Sequence, residues 1–134
     1  MTLDIFIGFI EEPEGLKQLL EERLYVLVDE KDECTIYEHR DDIWPQLFYY
    51  SPSPKVEEDD ELPNWEGEGF KVVSELNINF PWGDLKAHAR AYDLVEELSR
   101  HYSVVICNPD NLEEVYSTKI IQKGNSRINP TSLN

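Results

Sequence analysis

Residues Leu3 to Ile10 read LDIFIGFI, apolar at both odd and even positions and rich in β-branched and aromatic side chains. Side chains of a strand alternate between its two faces, so such a run has to be covered on both sides. A chain that contains it needs a layered fold, with this strand near the middle of a sheet. Tyr102 to Cys107, YSVVIC, repeats the two-sided pattern towards the other end. With 134 residues there is material for one such core, and two would each be poorly stocked.

Between these runs the apolar period changes. Pro13 suits the first turn of a helix, and Leu16, Leu19, Leu20 and Leu24 recur at helical spacing among Glu and Lys. The helix is expected to end near Leu24, although LYVLV could also lengthen it. Tyr25 to Val28 and Thr35 to Glu38 read as extended pieces around the charged turn DEKDE, and Gln46 to Tyr50 as a third, following Pro45 and stopped by SPSP. In FKVVSELNINF, Phe70, Val72, Leu76, Ile78 and Phe80 fall on one face and Lys71, Glu75, Asn77 and Asn79 on the other, a strand with one face wetted at least in part.

Asp84, after PWG, is placed to cap a second helix. On that helix Ala87, Ala91, Leu94, Val95, Leu98 and Tyr102 share one side, and Lys86, Arg90, Asp93, Glu96, Glu97 and Arg100 share the other. Strand, helix and strand with short links imply a right-handed crossover between parallel neighbours. After the turn NPDN, Val115 to Ile121 can add a final edge strand, paired as a hairpin with the one before. The fold class is therefore α+β: one domain over 1–121, a mixed sheet with two helices on one face, for which a ferredoxin-like core with extra strands is one form. Within it, 51–69 is an acidic Pro/Gly-rich loop, and 122–134 reads as a polar tail.

Charge narrows the function. Twelve Lys and Arg against 28 Asp and Glu give a net charge of -16. Such a field repels phosphate backbones and anionic lipid and speeds encounter with cationic partners, which argues against nucleic acid or membrane and for a basic protein partner. Acidity also keeps a protein soluble, which is the plainer account of it. Two cysteines imply no disulfide framework, Cys107 reading as a small hydrophobe within VVIC. The apolar run Ile5 to Ile10 is too short to span a bilayer and has no basic segment before it, so a reducing cytoplasm is the expected location.

Few residues offer chemistry. Asp84, His88 and Tyr92 stand four apart on one helical stripe, the spacing at which a carboxylate could orient an imidazole and a phenol extend a relay. A capping Asp, an edge histidine and a tyrosine at the core rim account for the same three residues. His39, His88, His101, Cys34 and Cys107 have no metal-site spacing: His88 and His101 would point about 140° apart on one helix, and Cys34 and His39 lie on opposite faces of a strand. The run Glu57, Glu58, Asp59, Asp60, Glu61 lacks the alternation and glycine of a calcium loop. No nucleophile elbow or phosphate loop occurs, so neither metal nor cofactor is expected. The same acidic run with Trp65 and Glu66 would make a hot spot for a basic partner if the indole is exposed; otherwise Trp65 folds onto the sheet and the acids only solvate the loop.

Three functions fit such a chain. First comes a non-enzymatic acidic interaction module that binds and masks a basic protein, in the manner of an immunity or antitoxin protein. Second is a small enzyme or ligand-binding domain built on Asp84, His88 and Tyr92. Third is a structural homo-oligomer joined through an edge strand such as Val115 to Ile121.

Overall fold

A computed structural model of the chain describes residues 2–54, 65–66, 69–108 and 116–121, with only the backbone described at Asn108 and 116–121. Strand β1, Thr2–Phe9, is the two-sided run, and it lies inside the sheet. On one side it pairs with β5, Ser74–Pro81, setting Ile5 opposite Ile78 and Ile7 opposite Leu76; on the other it pairs with β6, Val104–Asn108, setting Ile7 opposite Ile106. The remaining strands are β2, Tyr25–Glu30, β3, Cys34–His39, β4, Ile43–Tyr50, and β7, Tyr116–Ile121. Together they form a seven-stranded sheet in the order β2-β3-β4-β5-β1-β6-β7.

Every neighbouring pair is antiparallel, so the sheet is not mixed as expected. The crossover from β5 to β6 is present, but the two strands are not neighbours. They run parallel with β1 between them, antiparallel to both. Short links limit where a strand can return, and they do not say whether another strand already fills the adjacent lane.

Helix α1, Leu16–Glu22, begins later than Pro13 suggested, because Gly15 turns the chain through a left-handed conformation at φ 76° before the first helical residue. Leu16, Leu19 and Leu20 are its buried stripe. Helix α2, Leu85–His101, starts where Asp84 accepts a hydrogen bond from the Ala87 N–H at 3.1 Å. Ala87, Ala91, Leu94, Val95 and Leu98 face the sheet, the two alanines allowing close approach. Each larger side chain buried there contributes roughly 1.5–3 kcal/mol. Both helices join one core with Ile5, Ile7, Phe9, Leu47, Leu76, Ile78, Phe80, Val104 and Ile106.

The opposite face of the sheet carries a smaller core of Phe6, Trp65 and Val105, with Phe70, Val72 and Cys107 packed against it. This overturns the placement of Phe70 and Val72 beside Leu76, Ile78 and Phe80. The strand starts only at Ser74, and the segment before it crosses over the sheet instead of extending it. Two backbone bonds hold that cover, from the Phe70 N–H to the Trp65 carbonyl and from the Val73 N–H to the Phe9 carbonyl, each 2.8 Å. Gly8 makes room beneath: a Cβ there would come within 2.9 Å of a Val72 methyl and 3.2 Å of the Trp65 ring.

Candidate functional site

The Asp84 stripe resolves into packing. The Asp84 carboxylate is used by the helix cap. The His88 ring stands edge-on to Phe80 at 5.2 Å and to Tyr92 at 4.8 Å between centroids. Half-buried among rings, its imidazole is held below the ordinary value by desolvation, which favours the neutral form. The three residues are together as the spacing required, and their arrangement serves a helix start and a core rim.

Trp65 is also placed by packing. It is 4% exposed, and its Nε1–H donates to a Glu75 carboxylate oxygen at 2.7 Å. A buried indole is no anchor for a partner, so the exposed hot spot is corrected to a fold-back onto the sheet. Glu75 is correspondingly buried on a face the alternation had assigned to water, and desolvation raises its carboxyl despite the indole hydrogen bond. Glu66 is exposed. Glu57, Glu58, Asp59, Asp60 and Glu61 lie outside the described residues.

Concave surface gathers elsewhere, around the loop between β1 and α1. A cavity of about 560 Å³ is lined by Glu11, Glu12, Glu14, His101, Tyr102 and Ser103. One of about 210 Å³ continues along α1 between Glu14, Glu22, Arg23 and Glu97. On the other side of the loop, one of about 300 Å³ lies between Glu12, Leu16, Leu27, Glu30, Tyr37 and Tyr49. The residues EEPEG at the end of a two-sided strand are the signal for this site, since three carboxylates there are set at the sheet's rim. In the sequence they are overshadowed by the longer acidic run at 57–61.

The walls of this rim are fixed. Tyr102 donates to the Glu14 carbonyl at 2.7 Å and packs edge-on to Phe9. Arg23, at the end of α1, bridges to Asp93 at 2.6 Å and to Glu97 of α2. Glu97 also receives Arg100 at 2.8 Å and meets His101 at 2.9 Å. Partial burial pulls the Glu97 carboxyl up, but the His101 hydrogen bond and the charges of Arg23, His101 and Arg100 outweigh it and leave it below the usual range. Comparison with models of protein families, with curated proteins and with solved structures found no match. Kinship therefore lends no support to the ferredoxin-like core, and function rests on the site alone.

The rim presents carboxylates. They face open concavities, and among the described residues Lys17 is the only Lys or Arg lining the cavities of about 560 and 300 Å³. Ammonium or guanidinium groups of a partner match that chemistry. Among the described residues, no group of three His, Cys, Asp or Glu is arranged to hold a metal ion, and no helix is long and apolar enough to cross a membrane.

Proposed function

We propose that this chain is a non-enzymatic interaction module that binds and masks a basic protein, in the manner of an immunity or antitoxin protein of a reducing cytoplasm. The observation that carries the reading is the concentration of carboxylates along the concave rim, Glu11, Glu12 and Glu14 foremost, in a chain of net charge -16. The long-range field accelerates encounter and the concavities fix the register. The rim joins the acidic run Glu57 to Glu61, which lies outside the described residues, as the partner surface of this reading.

The test is affinity capture of partners at low salt, followed by binding kinetics with the partner recovered. A saturable basic partner is expected, with an association rate that falls as salt rises. Replacing Glu11, Glu12 and Glu14 together by Gln is expected to slow association by about tenfold or more while leaving the fold intact. Recovery of no stable basic partner across salt concentrations overturns the proposal.

A further inference from the structure

Among the described residues, the outer strand β2 carries the longest run of bare apolar surface on the sheet. Val26, Leu27 and Val28 are 42%, 40% and 47% exposed. The strand pairs with β3 and stands at the end of the sheet order. An edge strand presents N–H and C=O groups outward, and an incoming extended segment can use them. Charged residues ordinarily blunt such edges, yet here the charges, Asp29 to Glu33, lie beyond the apolar triplet.

We propose that the outer edge of β2 is the docking strand for an extended, lysine- or arginine-rich segment of the basic partner, which adds to the sheet as a further strand; this rests on the reading above. Charge decides the occupant. On the helix side, Leu27 is opposite Tyr37 and lines the cavity of about 300 Å³ whose acids are Glu12 and Glu30, with Lys17 at its wall. An aliphatic stem laid over Leu27, Tyr37 and Tyr49 brings a cationic head to those carboxylates. On the other side, Val26 stands opposite Glu38, so both alternating sets of an incoming strand meet apolar surface edged by an acid. The adjoining turn adds Asp29, Glu30, Asp32 and Glu33 against Lys31 alone. A second copy of this chain brings the same negative charge to the same edge. The register shift between Leu27 and Asp29 interrupts regular pairing there, so the added pairing is short and centred on Leu27.

The experiment titrates the ¹⁵N-labelled protein with a short peptide alternating lysine and valine, with the same peptide N-methylated at alternate amides, and with one alternating glutamate and valine. The expected result is amide shifts over Tyr25 to Glu30, slowed hydrogen exchange there, an affinity loss of about tenfold or more on N-methylation, and no binding of the glutamate peptide. Leu27→Lys is expected to weaken the lysine peptide to a similar degree with an unchanged circular dichroism spectrum. Shifts confined to Glu11 to Glu14 and Glu97, or equal binding of the N-methylated peptide, overturn strand addition and leave the acidic module standing. Sedimentation showing a dimer that Leu27→Lys dissociates overturns the cationic occupant in favour of a second copy. If the peptides fail everywhere, the edge proposal falls, while the wider reading is decided by the capture experiment, which does not depend on β2.

Discussion

At the scale of single residues, the buried and half-buried titratable groups set how stability responds to pH. His39 packs edge-on to Tyr25, and desolvation, then the Arg90 charge, hold its imidazole below the ordinary value. His88 is shifted the same way by desolvation. In both cases the unfolded chain binds a proton more readily than the folded one, so stability is lost as pH falls below about 6.5. Glu97, with its folded carboxyl lowered, removes more as pH falls further through its folded value. Denaturant midpoints measured between pH 7.5 and 5 are expected to fall, and ring-proton titrations of both histidines to lie below the ordinary value. Glu75 works in the opposite sense. Its folded carboxyl is raised, so the ionised form costs stability at neutral pH. Glu75→Gln keeps an acceptor for the Trp65 N–H and is expected to stabilise the protein at pH 7, the gain fading as pH falls to where Glu75 itself is neutral. A loss of stability at pH 7 would contradict this account. Backbone strain is a separate residue-scale term: Ile43 holds φ 74° and is 50% exposed. Ile43→Gly is expected to gain about 1 kcal/mol in urea unfolding, because a β-branched residue is disfavoured in the left-handed region.

At the scale of elements, the sequence is a good guide where a pattern is local. The cap at Asp84, the buried stripe of α2, the two-sided β1 and β6 and the pairing of β6 with β7 follow from local spacing and turn residues. Spacing misleads at Phe70 and Val72, whose alternation with Leu76 is genuine in the string but interrupted in space. A period of two says which residues share a face only while the strand is continuous, and this one begins at Ser74. The cover that results depends on Gly8. Gly8→Ala is expected to destabilise by about 1–3 kcal/mol, as overpacking under Val72 and Trp65 forces a shift. Tryptophan fluorescence of that variant should change along with its midpoint. An unaltered midpoint would mean the cover yields freely.

At the scale of the whole molecule, charge works against compactness. A net charge of -16 repels itself, while the Arg23 and Arg90 pairs tie α1, α2 and the β3–β4 turn together and Arg100 pairs within α2. Arg90 reaches Asp42 at 2.9 Å and the Trp44 carbonyl at 3.3 Å, and is three-quarters shielded from solvent. Salt screens distant repulsion more than such close, shielded contacts. Thermal midpoints are therefore expected to rise from low to physiological ionic strength, whereas partner association slows over the same range. A midpoint that falls with salt would show that the ion pairs dominate. The sequence by itself determined the class of fold, the positions of β1, α2 and β6 and the sign of the field, because periodicity and charge are properties of the string. Only the tertiary structure decided that β1 lies between β5 and β6, that Trp65 is buried on Glu75, and that, among the described residues, EEPEG lines a concavity and VLV lies on an outer strand. Those outcomes depend on which segments, distant in sequence, compete for the same apolar face.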